Sequence, residues 1–362
     1  MKVMLTGATG LLGQHIMFEL MAFYKKDLQL ILFGRGKKDI SFRQRVETIL
    51  QAEQNRHVHG IKDVIDFMHH HIDFIDVDFS QKNHSTITPS MRVDLLLHCA
   101  SYLDFRSNEG AQQKLEQINV LGTQKFLDSL QKVEIGRAMY VSSAYVAGIT
   151  EGEVYADTVG WGCFRNPYEA SKARAEKIFQ SWLQDRQITN WSILRPSTIC
   201  GRSKHRPYGY TTKFDVFYGW AQFFSKVQSK DCIRIQFNKQ SGLNIIPVDV
   251  ASQVIIKLVR SEVQNVNFLH VVANNEYPHL SYTAELLKTV GFTNFLFSGL
   301  NYLDKLNQLE RVYYKRSVGS VFTPYVVNSS THYVQDPKFE SGFTMDDDNF
   351  QRVISYFKSI LT

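Results

Sequence analysis

Two side chains with complementary proton chemistry stand four residues apart, Tyr168 and Lys172 in the segment Tyr168-Glu-Ala-Ser-Lys172. On a helix this spacing puts both on one face, one turn apart. A phenol with its ordinary pKa of about 10 is a poor acid at neutral pH, and an ammonium group beside it stabilises the phenolate. We therefore predict a catalytic pair, in which Tyr168 protonates an oxygen that gains negative charge while Lys172 tunes Tyr168 and orients a cofactor.

A hydroxyl group that holds the substrate oxygen is expected beside such a pair, and two serines precede it in the chain. Both follow a strand predicted over 137–141, and open α/β sheets bind ligands at the carboxyl ends of their strands. Ser143 is the preferred candidate and Ser142 is the alternative. A tyrosine four residues before a lysine is common on surface helices, so the prediction depends on the order of these segments.

A glycine-rich turn opens the chain, with Gly7, Gly10 and Gly13 between a predicted strand over 2–6 and a predicted helix from 11 to about 23. A sharp turn, a pyrophosphate against bare backbone and close helix–strand packing each favour a residue without Cβ. The helix start also points free N–H groups at the phosphates. Combined with Tyr168 and Lys172 downstream, the turn predicts a nicotinamide-dependent oxidoreductase.

The end of the second predicted strand indicates which nicotinamide cofactor is used. NAD-selective sites carry an acidic side chain there, but the chain reads Phe33-Gly-Arg35-Gly-Lys-Lys38. Arg35 is placed to accept a 2′-phosphate, so we predict NADPH in preference to NADH. Arg43 and Arg45 on the next helix either add positive charge or are ordinary surface residues. Asp78 is either a contact to the adenine amino group or a loop-initiating aspartate.

Apolar strands alternate with amphipathic helices over the first 200 residues. Strands are predicted over 2–6, 28–33, 71–76, 94–98, 137–141 and 191–194. Helices are predicted over 11–23, 109–131 and 168–186. A further helix is predicted to carry Phe42, Val46, Ile49 and Leu50 on one face. This alternation implies βαβ crossovers and predicts an α/β fold, a Rossmann-type doubly wound parallel sheet.

The alternation lapses after about residue 198, which predicts a second, smaller lobe. We assign 1–200 and about 243–264 to an NADP-binding Rossmann domain. A discontinuous C-terminal substrate-binding lobe then takes about 201–242 and 265–362. The aromatic series from Phe214 to Phe224 fits a helix that packs on its own core, or else the lining of an apolar pocket.

Composition is that of a folded globular protein: of 362 residues, 44% are apolar and 21% charged, with a formal net charge of +6. The mild positive charge is compatible with a phosphorylated cofactor or a coenzyme A tail. Since no basic stripe alternates with aromatic residues, we expect no nucleic-acid partner. The oligomeric state is left open by the sequence.

Four scattered cysteines form no C-x-x-C pair, so neither a disulfide framework nor a zinc site is expected, and a reducing cytoplasm is the predicted compartment. We expect no signal peptide and no membrane span. We also expect no metal site, because the adjacent residues His69–His71 cannot all face one ion and are taken as an exposed loop. The acidic run Asp346–Asp348 is taken as a solvated helix start.

A family resemblance emerges when the segments are taken together. It is carried by the glycine turn, His98-Cys-Ala-Ser101, Asn119-Val-Leu-Gly-Thr123, Val141-Ser-Ser143, Tyr168 with Lys172, and Leu194-Arg-Pro-Ser-Thr-Ile-Cys-Gly201. Over residues 1 to about 260 the chain resembles the extended short-chain dehydrogenase/reductases. Its male-sterility branch is indicated by Val141–Gly148, Asn166–Lys172 and Ile246–Asp249. That branch includes fatty acyl-CoA reductases and the thioester reductase domains of carboxylic acid reductases and peptide synthetases.

The resemblance implies roles for individual residues. Ser143, Tyr168 and Lys172 would form the catalytic set, Asn119 would support a water relay to Lys172, and Pro196 with the residues after it would cover the nicotinamide. The expected cofactor-binding residues are Gly7, Thr9, Gly10, Leu11, Leu12, Gly13, Arg35, Asp78, Phe79, Cys99, Ala100, Ser101, Tyr168, Lys172, Pro196, Ser197 and Thr198.

The same resemblance implies NADPH-dependent reduction of an acyl thioester to an aldehyde, sometimes on to the alcohol. The chain has no long C-terminal domain of the alcohol-forming reductases and no carrier domain, so we expect a two-electron reduction of a thioester that arrives on coenzyme A or a carrier protein. Ala173 stands where thioester reductase domains often have Trp. The alternatives are a ketone or aldehyde reductase, a sugar-nucleotide epimerase or dehydratase, and a non-catalytic NADP-binding sensor.

Overall fold

The computed structural model describes residues 1–60, 63–79, 90–229, 231–263, 266–300 and 304–361. Its strands, in chain order, are β1 (Lys2–Thr6), β2 (Gln29–Gly34), β3 (Ile72–Asp76), β4 (Met91–His98), β5 (Val133–Val141), β6 (Gly152–Val154), β7 (Trp191–Pro196), β8 (Thr198–Cys200), β9 (Ile233–Gln236), β10 (Gly242–Leu243), β11 (Ile245–Pro247), β12 (Phe268–Val271), β13 (Tyr277–Pro278), β14 (Phe295–Gly299) and β15 (Thr331–Tyr333).

The α-helices are α1 (Leu11–Tyr24), α2 (Phe42–Asn55), α3 (Val64–His71), α4 (Glu109–Leu115), α5 (Gly122–Ser129), α6 (Pro167–Asp185), α7 (Phe217–Ser225), α8 (Val248–Arg260), α9 (His279–Thr289), α10 (Gln308–Arg316), α11 (Val318–Val326) and α12 (Asp347–Leu361). A π-helical segment, Glu116–Leu121, joins α4 to α5, so the helix predicted over 109–131 is one rod with a wide turn in its middle.

Seven parallel strands form the central sheet in the order β12-β7-β5-β4-β1-β2-β3. The chain runs outward from β1 through β2 to β3, and then returns to the other side of β1 with β4. At this reversal Thr6 lies opposite Phe33 on one side and His98 on the other. The fold class predicted from the sequence is confirmed, and ligands of such sheets bind beyond the carboxyl ends of the strands at this reversal.

Both faces of the sheet are covered by helices, because neighbouring residues of a strand point to opposite faces. Val3 and Leu5 of β1 are buried in the core under α1, α2 and α8, whereas Met4 is buried in the core under α5 and α6. Burial of each such apolar side chain stabilises the fold by about 1.5–3 kcal/mol. The carboxyl-end edge of the sheet is therefore held rigidly between two helical layers.

A third core belongs to the smaller lobe and is mostly aromatic. Phe217, Trp220 and Phe224 of α7 are buried together with side chains of α9, α10, α11 and α12. Trp220 donates its indole N–H to the hydroxyl oxygen of Tyr313 at 2.8 Å. The aromatic series near residue 220 is thus a helix that packs on its own core, and Phe214 lies in the segment that leads into this helix.

The chain returns to the main body through β11, which pairs in parallel with β8 and leads into α8. Two predictions need correction. Phe268–Val271, predicted to lie in the substrate lobe, is the edge strand of the main sheet, because β7 needs a partner on its outer side. His69–His71 are not an exposed loop but the last turn of α3, because a helix capped by Asp63 continues through them. Asp346–Asp348 lie at the start of α12, as predicted.

Among the described residues no helix is both long enough and apolar enough to cross a membrane. The four cysteines, all within the described ranges, are unpaired.

Close packing at the glycine turn explains why two of its glycines have no side chain. Gly7 has a φ of +75°, and a Cβ there would lie 2.8 Å from the Ala100 nitrogen. A Cβ on Gly13 would lie 2.1 Å from the Gly7 carbonyl oxygen. Bare Gly13 lets the first turn of α1 pack on the turn that follows β1, and bare Gly7 lets that turn pack against the residues that follow β4.

Gly13→Ala should lower the free energy of unfolding by about 1–3 kcal/mol, because the added methyl group overlaps backbone that cannot move away. Gly110→Ala is the matched control, since its Cβ would meet nothing closer than 3.7 Å in the first turn of α4. That control should leave stability unchanged or raise it by up to about 1 kcal/mol. Urea unfolding measures both, and equal stability of the two variants would contradict this packing.

Candidate active site

The carboxyl ends of β1, β4, β5 and β7 open into one cavity of about 640 Å³, which extends into the smaller lobe. Most of the site residues predicted from the sequence contribute to its lining: Gly7, Gly10, Leu11, Leu12, Gly13, Cys99, Ser101, Ser142, Ser143, Tyr168, Lys172, Pro196, Ser197 and Thr198. The glycine turn and the Tyr168–Lys172 pair, about 160 residues apart in sequence, therefore share one space.

Six predicted residues lie outside this lining: Thr9, Arg35, Asp78, Phe79, Ala100 and Asn119. Ala100 contributes its backbone N–H to Thr6 at 2.9 Å, directly beside the turn. Phe79 packs edge-on against the rings of His98 and Phe126. These two residues support the walls of the cavity.

Thr6 joins the glycine turn to the end of β4. Its hydroxyl oxygen accepts the backbone N–H groups of Cys99 at 3.0 Å and Ala100 at 2.9 Å. Its own proton is then directed to His98 Nδ1, 2.8 Å away, so His98 Nε2 carries the ring proton and donates to Thr123 at 3.1 Å. Burial lowers the pKa of His98 to about 3, and the ring stays neutral.

The turn itself is built to receive an anion. Gly10 N–H is bonded to the Gly7 carbonyl at 2.8 Å, and α1 starts at Leu11 with no side-chain cap and no acidic residue in its first turn. The N–H groups at this helix start have no partner within the helix, and the positive end of the helix dipole points the same way.

Lys172 is buried, with 1% of its surface exposed, and it is anchored to β5. Its ammonium donates to the Tyr140 hydroxyl and to the Val141 carbonyl, each at 2.7 Å. Burial lowers the pKa of Lys172 to about 8. Two of its three donor positions are therefore used to fix it against the strand, and one is left for a ligand.

Tyr168 faces the same cavity one helical turn before Lys172. Burial raises the pKa of its phenol, and a hydrogen bond with Ser101 acts in the opposite direction. The ring of Phe105 packs edge-on against it, with centroids 5.3 Å apart. Burial therefore raises the phenol pKa, whereas the spacing predicts that Lys172 lowers it. The Lys172 ammonium is bonded to β5 instead. A group that bridges Tyr168 and Lys172 is needed to couple them.

Both candidate serines line the cavity just beyond β5. Ser143 accepts the backbone N–H of Tyr145 at 3.2 Å as the cap of a short 3₁₀ helix, Ala144–Ala147. Its O–H proton is therefore available as a donor toward the cavity. The hydroxyl of Ser142 is buried and has no hydrogen-bond partner in the described chain.

Asn119 lies in the π-helical segment and is fully engaged. Its amide N–H groups donate to the Tyr102 carbonyl and to the Ser171 hydroxyl, each at 3.0 Å, and its oxygen accepts the Tyr102 N–H at 2.7 Å. Ser171 lies between Tyr168 and Lys172 on α6. The side chain of Asn119 thus holds the helix that carries the pair and makes no direct contact with Lys172.

One functional-site network was missed by sequence reasoning. Glu169, next to Tyr168, is fully buried and accepts the Tyr325 hydroxyl at 2.7 Å and the Arg165 backbone N–H at 2.9 Å. Burial raises the pKa of Glu169, although Arg165 opposes this. Asn166 caps α6 and donates to Tyr325 at 2.6 Å. Since Tyr325 belongs to α11, the network ties the start of α6 to the smaller lobe, and the N-x-x-E capping pattern was its only signal in the sequence.

The part of the cavity inside the smaller lobe is mainly apolar. It is lined by Phe105, Trp220, Leu243, Val318, Val321 and Phe322, among others. Three cationic residues also contribute, Arg106, Lys213 and Arg316. Arg106 is paired with Asp104 at 2.7 Å, whereas Lys213 and Arg316 are exposed. The aromatic helix α7 thus lines the cavity with one edge while most of it packs in the lobe core.

Arg35, Asp78 and Arg45 converge at the ends of β2 and β3. The Arg35 guanidinium donates to both carboxylate oxygens of Asp78 at 2.9 Å. Arg45 donates to the Arg35 carbonyl at 2.7 Å and to the Thr9 hydroxyl at 3.0 Å, which connects this group to the glycine turn. Two guanidinium groups are held where a carboxylate stands in NAD-selective sites.

A family model described as Male sterility protein matches residues 5–255 of the chain. The chain belongs to this family. The predicted resemblance to the male-sterility branch is thereby confirmed.

Individual relatives are distant. A dTDP-D-glucose 4,6-dehydratase of Dictyostelium discoideum is 21% identical over 225 residues, which is 56% of this chain and 45% of that protein. The chain thus spans less than half the length of this curated relative. The terminal R domain of the myxalamid PKS-NRPS pathway superposes with a TM-score of 0.72 at 18% identity, covering 99% of this chain and 90% of that one. UDP-glucuronic acid 4-epimerase of Bacillus cereus, solved with UDP-glucuronic acid and NAD, gives 0.65 at 14% identity, covering 99% and 100%.

Titration of Lys172 tests the buried anchor directly. In protein labelled with ¹³C at the lysine Cε, one resonance should titrate with a midpoint near pH 8, below the ordinary lysine value of about 10.4, because burial disfavours the charged form. Lys172→Met should remove that resonance and no other. If the lysine signal that disappears in Lys172→Met does not titrate near pH 8, the burial described here is contradicted.

Proposed function

We propose that this protein is an NADPH-dependent reductase that converts an acyl thioester, carried by coenzyme A or a carrier protein, to the aldehyde. The observation that carries the proposal is the single cavity that joins the glycine turn to Ser143, Tyr168 and Lys172 and then continues between apolar side chains. A dinucleotide and an acyl chain require those two kinds of surface on either side of one reaction centre.

The residues fit a dinucleotide at the turn, because Gly7, Gly10 and Gly13 line the cavity and α1 starts there with no side-chain cap and no acidic residue in its first turn. Gly7, Gly10 and Gly13, with Thr9, Leu11 and Leu12, would hold the pyrophosphate at the start of α1. Cys99, Ala100 and Ser101 would flank the turn, with Phe79 behind them, and Pro196, Ser197 and Thr198 would cover the nicotinamide. When bound, the cofactor supplies hydride to the acyl carbon.

Arg35 and Arg45 support the choice of NADPH over NADH. Both guanidinium groups lie at the end of β2, and a 2′-phosphate there would gain charge-assisted hydrogen bonds. Asp78 is committed to Arg35 through two hydrogen bonds. We therefore assign Asp78 the task of orienting Arg35 and not that of contacting the adenine.

The catalytic roles follow from the anchors already described. Ser143 donates its O–H to the substrate oxygen and holds it near Tyr168, which delivers a proton to that oxygen. Lys172 keeps one N–H that is not bonded to β5, and this N–H would hold the nicotinamide ribose of a bound cofactor. As the carbon–sulfur bond breaks, the hydroxyl that Tyr168 protonated gives up its proton to become the aldehyde carbonyl and the sulfur takes up a proton, so the thiol leaves with one hydride and one proton consumed overall. The apolar walls exclude water from this step.

A sugar-nucleotide epimerase or dehydratase is the main alternative, because proteins of those names share the fold. The absence of a carboxylate at the end of β2 argues against the tightly held NAD of such enzymes. The apolar lining contributed by α7 and α11 suits an acyl chain better than a sugar. A ketone or aldehyde reductase and a non-catalytic NADP sensor would share the cofactor site.

Arg35→Ala should weaken NADPH binding by about 10–100-fold and leave NADH binding unchanged, because only the 2′-phosphate loses a charge-assisted hydrogen bond. Arg43→Ala is the matched control, since Arg43 lies on α2 but contacts His69 at 3.3 Å. Isothermal titration calorimetry of the wild type and both variants with each cofactor gives the six dissociation constants. Unchanged NADPH affinity in Arg35→Ala, or equal affinity of the wild type for both cofactors, would overturn the cofactor assignment.

A substrate panel followed by NADPH absorbance tests the reaction. Acyl-CoAs and acyl-pantetheine thioesters should be reduced, and Tyr168→Phe should lower kcat by about 10²–10⁴-fold while NADPH still binds, because the proton donor is lost. Tyr155→Phe, an exposed phenol remote from the cavity, is the control. Turnover of ketones or UDP-sugars with no thioester reduction would select an alternative, and full activity of Tyr168→Phe would remove Tyr168 from the mechanism.

A further inference from the structure

A second cluster of reactive side chains includes a residue of α1 and lies outside the cavity lining. Glu19 of α1, His59 in the segment after α2, and His205 in the segment after β8 each direct one ligand atom to a common point, and these atoms lie within 4.8 Å of one another. The three residues come from segments 40 and more positions apart. No motif in the sequence relates them.

Two of these atoms face each other at ion-pair distance without a hydrogen bond of ordinary length. Glu19 Oε1 and His59 Nε2 are buried and make no hydrogen bond in the described part of the chain. They lie 3.5 Å apart, and the side chain of His59 is only 4% exposed. A buried polar atom without a partner is costly, so both atoms are explained if they bind a common third atom.

The orientation of His59 is fixed from behind. Its Nδ1 is 2.9 Å from Oε1 of Glu53, a fully buried carboxylate. The other oxygen of Glu53 accepts from Arg202 at 2.6 Å and from Arg56 at 3.3 Å. Burial is outweighed by the interactions with the Glu19 and Glu53 carboxylates, which raise the pKa of His59. In the neutral ring that a metal ion would bind, Nδ1–H is donated to Glu53 and the lone pair is on Nε2, facing Glu19. A carboxylate behind a histidine in this way is the usual outer support of a metal ligand.

We propose that Glu19, His59 and His205 bind one divalent transition-metal ion of the zinc type, with water as the fourth ligand. Tetrahedral bonds of about 2.0–2.1 Å place neighbouring ligand atoms about 3.3–3.4 Å apart, which the pair Glu19–His59 nearly matches at 3.5 Å. Two imidazoles and one carboxylate suit zinc, cobalt or nickel better than magnesium or calcium.

The ion would hold two parts of the structure together. Glu19 lies on the helix that starts at the glycine turn, and His205 lies in the segment by which the chain enters the smaller lobe. The backbone N–H of His205 is already bonded to Asp249 at 3.2 Å. Metal binding would therefore fix the lobe entrance to the cofactor-binding body, and this inference does not depend on which substrate is reduced.

Metal-stripped full-length protein titrated with Co²⁺ and Zn²⁺ tests the site. We expect one Co²⁺ per chain with the visible absorption of tetrahedral cobalt, displacement by Zn²⁺, and a Zn²⁺-dependent rise in Tm. Glu19→Gln and His205→Asn should each weaken binding by at least about 10–100-fold, with circular dichroism confirming that they fold. His70→Asn, which removes an exposed histidine of α3, should bind as the wild type does.

The outcomes separate cleanly. If no stoichiometric binding occurs, His59 is simply a protonated bridge between Glu19 and Glu53, and the proposal is wrong. Equal affinity in wild type, Glu19→Gln and His205→Asn would place the metal elsewhere and overturn it as well. Loss of binding in both variants with retention in His70→Asn would establish the site.

Discussion

The buried ammonium of Lys172 is the interaction on which the rest of the site depends. A charge enclosed between α6 and β5 has to be satisfied locally, and the Tyr140 hydroxyl and Val141 carbonyl do this at 2.7 Å each. These two bonds fix the depth and rotation of α6 against the sheet. They thereby set where Tyr168 stands relative to Ser143, which is carried by the same strand end.

The surrounding layers keep this geometry while leaving one side open. Helices on both faces bury the sheet, and the strand reversal beside β1 brings the glycine turn next to β4 through Thr6. The smaller lobe is joined to the start of α6 through Glu169 and Tyr325. These hydrogen bonds connect α11 of the lobe directly to the helix that carries Tyr168.

Short-range patterns were sufficient to predict much of this molecule. The glycine spacing of the turn and the pair Tyr168 and Lys172 follow from geometry within one helix or one turn, and the alternation of strands and helices follows from burial on two faces. Partners that depend on neighbouring strands were not predictable in this way. Asp78 meets Arg35 only because β3 lies beside β2, and the pairing of Tyr140 with Lys172 requires α6 to cross β5. The edge strand β12 was missed because four residues carry too little periodicity.

The most direct measurement is a crystal structure of the protein with NADPH and a non-hydrolysable acyl-pantetheine analogue. The account predicts the nicotinamide ribose within hydrogen-bond distance of both Lys172 Nζ and Tyr168 Oη, and the acyl oxygen between Ser143 and Tyr168. A nucleotide bound elsewhere, or a phenol oxygen directed away from the acyl group, would contradict it.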